Sequence, residues 1–196
     1  MKKILFIHDV FSSINDFFLK DIIKMLRGYQ IIAPELPSQP EKTMQMLKDI
    51  CKEENPDLVV GWTSGGFFAQ QLTDYNRVLI SPEYDLSVIF NSILNGKEVV
   101  DFPYTHPRST GEESFKITPA LVKSYAEMEA QQFNSCSQSK KMVFAYFWFG
   151  HNEGNLETHQ AHYNDVTFLP GTDIYDIKSM QQICTHIKYL LENPED

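Results

Sequence analysis

A short segment of the chain, VVGWTSGGFF at residues 59–68, has residue types and a spacing that could support nucleophilic chemistry. An apolar run leads into a turn with a glycine two places before Thr63 and another two places after it. This layout predicts a strand, a sharp turn and a helix that present the Thr63 side chain at the edge of a sheet. Its hydroxyl could attack a carbonyl carbon, and the backbone N–H of Ser64 could stabilise the resulting oxyanion.

The choice of Thr63 over its neighbour Ser64 rests on steric grounds. A motif centred on Ser64 would put Trp62 where strand and helix close tightly, whereas Gly61 and Gly65 fit around Thr63. Threonine is nevertheless an awkward residue here, because a β-branched side chain at positive φ stores about 1–3 kcal/mol of strain. A glycine-rich turn without chemistry therefore stays open as an alternative interpretation.

Two polar residues follow the first apolar run, beside the place where an oxyanion hole would form. A negative charge on Asp9 would oppose an oxyanion there unless the side chain turned away. For His8 we expect a structural hydrogen bond to a neighbouring loop.

A second group of histidines invites a metal interpretation. His159 and His162 are spaced to share one face of a helix, with His151 and Glu153 upstream. A zinc site normally needs three or four ligands at a defined spacing, and this group matches no recognised pattern. We therefore expect solvated surface histidines and no metal.

The elements that position these residues follow from the alternation of short apolar runs and longer amphipathic ones. This alternation predicts an α/β fold, a mainly parallel sheet flanked by helices in one domain, residues 1–196. Strands are expected at residues 4–7, 30–33, 58–60, 77–80, 142–149 and 166–169. Helices are expected at residues 17–26, 43–53, 65–72, 118–133 and 177–191. The long segment at about 82–140 is polar and turn-rich before its helix, which predicts a cap insertion over the site.

The composition narrows the class of protein. Hydrophobic residues make up 42% of the chain, which excludes a disordered protein. A formal net charge of −9 disfavours nucleic acid and membrane surfaces as partners. Three cysteines without paired spacing, and an amino terminus that does not resemble a signal peptide, predict a cytoplasmic protein with reduced thiols. The oligomeric state stays open.

Several segments together resemble a known family. KILFIHDVFSS, IIAPELPSQP and VVGWTSGGFFA are similar to segments of the small bacterial YqiA-like esterases of the α/β-hydrolase superfamily, and DFPYTHPR and FLPGTDIY match in place. The resemblance covers nearly the whole chain. It implies a sheet in the order 2-1-3-4-5-6 and hydrolysis of small carboxylic esters or thioesters, without a metal or an organic cofactor.

The positions that carry the family's chemistry depart from its pattern. The nucleophile serine falls on Thr63, the acid on His151 and the histidine on Asp173, while the glycine beside an oxyanion amide is Asp9. One hypothesis is a rearranged triad of Thr63, His151 and Asp173, or Asp173 acting directly as a weak base. The alternatives are a simple ion pair between His151 and Asp173, a helper such as Glu153, and a shift of the alignment by a residue or two.

Two classes of function follow from these departures. The first is an esterase-type enzyme with weak, atypical or lost activity, in which the Ser64 and Val10 amides would be the oxyanion donors. The second is a non-catalytic member of the fold that binds a small molecule, such as an acyl or ester ligand, or a protein. Trp62 and Tyr104, with the aromatic strand FAYFWF, could wall an apolar pocket for such a ligand.

Overall fold

The computed structural model of the chain describes residues 1–148, 153–171, 173 and 175–193, and of Glu153 the backbone alone. The described strands are β1 (Lys3–Ile7), β2 (Gln30–Ile32), β3 (Leu58–Trp62), β4 (Arg77–Ile80), β5 (Val100–Pro103), β6 (Ser114–Ile117), β7 (Val143–Trp148) and β8 (Val166–Leu169). The described helices are α1 (Phe17–Met25), α2 (Pro40–Glu54), α3 (Ser64–Ala69), α4 (Leu86–Leu94), α5 (Pro119–Glu129), α6 (Glu153–Gln160) and α7 (Ile177–Glu192), with a 3₁₀ turn at Cys136–Gln138.

Six strands form one sheet in the order β2-β1-β3-β4-β7-β8, and every neighbouring pair is parallel. This confirms the α/β fold class and the order 2-1-3-4-5-6 that the resemblance implies. Because the strands are parallel, their carboxyl ends lie at one edge of the sheet, where ligands bind in open α/β folds. The turn after β3 and the loop after β1 meet at this edge, since Ile7 pairs with Gly61.

The sheet is buried on both faces, as the continuously apolar strands predict. Alternate residues of β1 point to opposite sides: Ile4 and Phe6 pack with α1 and α7, whereas Leu5 and Ile7 pack with α2, α3, α4 and α5. We call these the α1/α7 side and the insertion side. Each side of the sheet therefore has its own apolar cluster.

Helix ends differ from the predicted ones for local reasons. Helix α2 begins at Pro40 rather than at residue 43, because proline at the first position has φ preset for a helix. Helix α3 begins at Ser64 and ends at Ala69, earlier than residue 72, since the chain turns there toward β4. Asp16 caps α1 by accepting a hydrogen bond from the Phe18 N–H.

The segment at residues 82–140 contains α4, α5 and a hairpin that the polar composition did not predict. Strands β5 and β6 pair antiparallel outside the main sheet. Phe115 and Ile117 alternate with exposed residues on β6 and enter the insertion-side cluster. The hairpin loop is tied to the loop after β1, because the Thr105 N–H donates to the Phe11 carbonyl at 2.9 Å. That this segment caps a site stays a prediction.

The three cysteines are free thiols, and two of them, Cys51 and Cys184, are buried. Among the described residues, no helix has the length and apolar character that a membrane span requires. The cytoplasmic location stays a prediction.

Candidate functional site

The turn between β3 and α3 has the strained backbone that the glycine spacing predicts. Thr63 has φ of 46° and ψ of −115°, a conformation that few residues other than glycine adopt. A Cβ on Gly65 would lie 2.0 Å from the Ile7 carbonyl oxygen, and one on Gly61 would lie 2.6 Å from the Ala69 Cβ. Side chains at these two glycines are therefore excluded by the close approach of helix, turn and neighbouring strand.

The backbone of Thr63 is anchored on both sides. Its N–H donates to the Ile80 carbonyl at 2.9 Å, and its carbonyl accepts from Gly66 at 2.9 Å and from Glu83 at 3.0 Å. The side chain is only 8% exposed. Its hydroxyl oxygen is buried and has no hydrogen-bond partner within the described part of the chain. The hydroxyl thus lies at the strained turn and is closed off from solvent, and its role as a nucleophile stays a prediction.

The adjacent hydroxyl of Ser64 is fully engaged. It accepts the Val10 N–H at 2.7 Å and donates to Asp9 Oδ1 at 2.6 Å. The same carboxylate oxygen accepts the Phe11 N–H at 3.1 Å. The Val10 amide, expected as an oxyanion donor, is therefore occupied by a side chain of the protein. The sequence did not predict this arrangement, although a serine after the nucleophile position and an acid at residue 9 are its two components.

His8 is buried at 2% exposure at the end of β1. Its Nδ1 donates to the Asp9 carbonyl at 2.7 Å, while its Nε2 lies 3.7 Å from Glu35 Oε2 without a hydrogen bond. Burial lowers the pKa of His8, against the opposing influence of the Asp9 carbonyl and Glu35. The hydrogen bond is a structural one, as expected, although it is made to the adjacent residue.

The two aromatic residues expected to wall one pocket lie on opposite sides of the sheet. Trp62 packs on the α1/α7 side, with its ring centroid 4.0 Å from that of Phe18. Tyr104 belongs to the insertion side, where it stacks on Phe115 at 5.2 Å and the Arg108 guanidinium lies 4.3 Å from its ring centroid. The described contacts do not bring the two rings together.

Of the two remaining members of the hypothetical triad, the structure describes only Asp173. His151 lies outside the described residues, as does the side chain of Glu153. Asp173 is exposed, and its Oδ1 accepts the Tyr175 N–H at 3.0 Å, a bond within its own loop. The rearranged triad of Thr63, His151 and Asp173 therefore stays a prediction.

The expectation of solvated histidines near the carboxyl terminus is wrong for one of the pair. His159 is completely buried; its Nδ1 lies 2.8 Å from the Tyr84 hydroxyl, and burial lowers its pKa to about 4. Its imidazole belongs to a helix face that packs on the sheet, which i, i+3 spacing alone could not reveal. His162 is exposed and stacks on Phe133 at 3.9 Å. Within the described residues, no group of three or more His, Cys, Asp or Glu side chains could hold a metal ion.

The structure adds a groove that the sequence did not indicate. A cavity of about 370 Å³ lies at the carboxyl edge on the α1/α7 side, lined by Asp16, Phe17, Phe18, Asp21, Thr105, His106 and Tyr175. A smaller cavity of about 20 Å³ shares four of these residues, Asp16, Phe18, Thr105 and Tyr175, and reaches inward to His8, Asp9 and Trp62. We call the two together the edge groove.

Comparison with solved structures identifies the fold. Est1E from Butyrivibrio proteoclasticus, solved with ferulic acid bound, has a TM-score of 0.71 at 10% identity over 100% of this chain and 90% of that one. A structure of the metagenome-derived lipolytic enzymes LipS and LipT gives 0.70 at 12% identity, over 97% and 93%. Tomato methylketone synthase I, in a variant complexed with beta-ketoheptanoate, gives 0.65 at 13% identity, over 96% of each chain. The chain therefore has the α/β-hydrolase fold.

Neither of the two sequence-based comparisons places the chain in a narrower group. No protein-family model matches it, and no curated protein is similar to it in sequence. The resemblance to YqiA-like esterases stays a prediction.

Proposed function

We propose that the protein is a member of the α/β-hydrolase fold that binds a small ligand in the edge groove and is not a proficient acyl-transfer enzyme. The observation that carries the proposal is the hydrogen bonding of Ser64. Its oxygen accepts a hydrogen bond from the Val10 N–H, and its O–H donates one to Asp9.

This arrangement opposes the transition state of ester hydrolysis. Attack by Thr63 would form an oxyanion, which is stabilised by N–H donors aimed at its position before the reaction begins. The Val10 donor is already bonded at 2.7 Å, and the bonded partner is itself linked to a carboxylate. Removing one donor from such a site typically lowers kcat by a factor of about 10²–10³. The negative charge of Asp9 beside the site adds to that cost.

The nucleophile itself is not activated by any described group. A hydroxyl becomes nucleophilic when a base within hydrogen-bond reach accepts its proton. The Thr63 hydroxyl is buried without a partner in the described part of the chain. Asp173 accepts a hydrogen bond from its own loop.

Ligand binding is supported by the size and place of the edge groove. At about 370 Å³ its outer part falls within the range of small-molecule sites, which is roughly 300–1,000 Å³. It lies at the carboxyl edge of a parallel sheet, where sites in this class of fold occur. Ferulic acid and beta-ketoheptanoate are bound by two proteins of similar structure.

A second candidate function is esterase activity through a rearranged triad of Thr63, His151 and Asp173. The turn geometry favours it, because Thr63 has the strained φ of 46° and ψ of −115° that presents its side chain at the turn, while its hydroxyl makes no hydrogen bond within the described part of the chain. The glycines that allow the turn are also present.

Hydrolysis of short-chain p-nitrophenyl esters separates the two candidates. Wild type and Thr63→Ala are purified in parallel, so that a contaminating esterase contributes equally to both. We expect the two rates to be equal and close to that of buffer. A fluorophosphonate probe, followed by peptide mass spectrometry, is expected to leave the peptide that contains Thr63 unlabelled. A wild-type rate well above buffer that collapses in Thr63→Ala, with labelling of that peptide, would overturn the proposal in favour of the threonine mechanism.

A further inference from the structure

We propose that the ligand of the edge groove is a small organic cation, a quaternary ammonium or protonated amine, held by aromatic rings and aspartate carboxylates. The inference rests on the proposed ligand-binding function and names its ligand class.

The edge groove has an exposed aromatic surface. Phe17 is 69% exposed and Tyr175 is 53% exposed, and both line the outer cavity. Behind them, Phe18 lies 4.0 Å from Trp62 and 5.4 Å from Tyr175 between ring centroids. The Trp62 and Tyr175 rings are 6.2 Å apart. Several ring faces and edges thus converge on one groove, and the negative face of an aromatic ring attracts cations within about 6 Å.

The lining of the edge groove is acidic. Asp9, Asp16 and Asp21 line the two cavities, and no lysine or arginine is among the described residues that do so. The hydrogen bonds described for Asp9 come from neutral donors, the Ser64 hydroxyl and the Phe11 N–H. A cation in the groove would therefore gain attraction that a neutral molecule of the same shape would not.

Asp16 is likewise bonded to neutral donors. It accepts hydrogen bonds from the Ser12 hydroxyl at 2.6 Å and from the Phe18 N–H at 2.8 Å, while His106 Nδ1 lies 3.6 Å away. Asp21, in contrast, has Lys24 at 2.8 Å. Asp9 and Asp16 thus contribute most of the negative charge that faces the groove.

The effect of these carboxylates reaches the rings themselves. Burial raises the pKa of the Tyr175 phenol, and Asp16, Asp9 and Asp173 each raise it further because they oppose a second negative charge. The negative potential of these carboxylates, which disfavours a phenolate at Tyr175, favours an ammonium group beside the ring.

Two further contacts agree with this assignment. The Lys20 ammonium lies 5.8 Å from the Phe17 ring centroid, so one ring of the groove already attracts a cation of the protein. At the inner end, the buried Nε2 of His8 has no hydrogen-bond partner among the described residues, and the inner cavity of about 20 Å³ has room for one small group. A hydroxyl on the ligand could donate to this nitrogen. Carboxylate ligands, such as those bound by the two proteins of similar structure, would instead be repelled by Asp9 and Asp16, so the ligand class proposed here differs from theirs.

The test compares a cation with its neutral isostere. Choline chloride and 3,3-dimethylbutan-1-ol have the same shape and differ in the charge of the head group. Each is titrated into wild type at constant ionic strength up to about 50 mM, a range that covers weak affinities. Binding is followed by calorimetry and by tryptophan fluorescence, since Trp62 lines the inner cavity. We expect saturable binding of choline and at least about tenfold weaker binding of the alcohol.

Two variants locate the cation and a third controls for them. Phe17→Leu keeps apolar area but removes a ring at an exposed position, and we expect choline affinity to fall about two- to fivefold. In Asp16→Asn the amide oxygen can still cap α1, and we expect a fall of about threefold or more. Tyr189→Leu removes a half-exposed ring of α7 that is not among the residues lining the groove, and it should bind choline as wild type does.

Three outcomes would overturn the inference. Equal binding of choline and the alcohol would show a groove that selects shape without charge, and the proposed ligand-binding function would survive. Equal losses in Phe17→Leu and Tyr189→Leu would place the cation elsewhere. Saturable binding of neither compound would reject the ligand class. The proposed function fails separately, through ester turnover that depends on Thr63.

Discussion

Two aromatic clusters lie at the same edge of the sheet and differ in what covers them. On the insertion side, Phe90 is completely buried and packs edge to face against Phe11 and against Phe115 of the β5–β6 hairpin. On the α1/α7 side, Phe17 and Tyr175 leave more than half of their surface in solvent. We call these the closed and the open cluster.

The difference between the clusters is one of charge as well as exposure. Arg108 covers Tyr104 at the border of the closed cluster, whereas Asp9, Asp16 and Asp21 line the groove of the open one. Identical ring chemistry therefore serves as core on one side and as a candidate site on the other. Aromatic residues alone do not mark a binding site; exposed rings beside carboxylates support the one that we propose.

The largest expected effect is a loss of stability in the closed cluster. Phe90→Ala should lower the free energy of unfolding by about 3–5 kcal/mol, because the cavity left beneath the hairpin cannot collapse fully. Phe17→Ala in the open cluster should change it by less than about 0.5 kcal/mol, since its ring is 69% exposed. Urea denaturation of both variants checks the contrast. Similar losses in the two would remove the distinction between the clusters.

The next effect is the dependence of stability on pH that arises from His159. Its ring packs against Phe147 on the insertion side. Its pKa is lowered to about 4 in the folded protein, whereas an unfolded histidine titrates near 6.5. Between these values the unfolded state binds the extra proton. The stability contributed by the neutral ring is therefore complete above about 6.5 and lost as pH falls toward 4, roughly 3 kcal/mol in all.

The free energy of unfolding of His159→Gln, measured from pH 4 to 7, should consequently depend less on pH than that of wild type. His162→Gln, at an exposed ring of the same segment, shows how much of the change comes from replacing any histidine. If the free energy of unfolding of His159→Gln depends on pH as steeply as that of wild type, His159 is not the source of the pH dependence.

The smallest of the three effects is expected at the boundary between the clusters. Asp9 lines the groove, whereas Phe11, two residues later, packs in the closed cluster. The hydrogen bond from the Ser64 hydroxyl to Asp9 anchors the loop that contains both residues. Ser64→Ala removes a hydrogen bond to a charged group and leaves the Val10 N–H unpaired. We expect a loss of about 1.5–3 kcal/mol in the free energy of unfolding.

A double-mutant cycle with Asp9→Asn tests whether that loss arises from the bond itself. Coupling between the two substitutions of at least about 0.5 kcal/mol is expected for side chains in direct contact. Strict additivity would mean that Ser64 and Asp9 act independently and that the Val10 amide accounts for the loss.

The sequence predicted what depends on local pattern and not what depends on distant contacts. Strands β4 and β8 have the predicted bounds, because short apolar runs between turns mark buried parallel strands. The turn at Thr63 was predicted from glycine spacing, which reflects a local steric requirement. The β5–β6 hairpin was missed, since its short strands lie in a polar segment and only two of its side chains are deeply buried.

The sequence predicted that the turn at Thr63 and the loop after β1 lie near each other, but not the hydrogen bonds between them. The elbow residues Thr63 and Ser64 and the loop residues Asp9 and Val10 do meet at one edge. That Ser64 bonds the Val10 amide depends on the orientation of one hydroxyl, which no spacing in the sequence encodes. The edge groove was not predicted, because Asp16 and Tyr175 approach each other only through the packing of α1 against α7.

The bond between Ser64 and the Val10 amide also bears on how the protein folds. It joins residues 54 positions apart, and β1 reaches β3 only after β2 and α2 have been synthesised. Contacts of such sequence separation form late, because the entropy of closing the intervening loop must be overcome first. We therefore expect the loop after β1 to gain this anchor on a ribosome-bound chain only after the glycine-bounded turn has emerged.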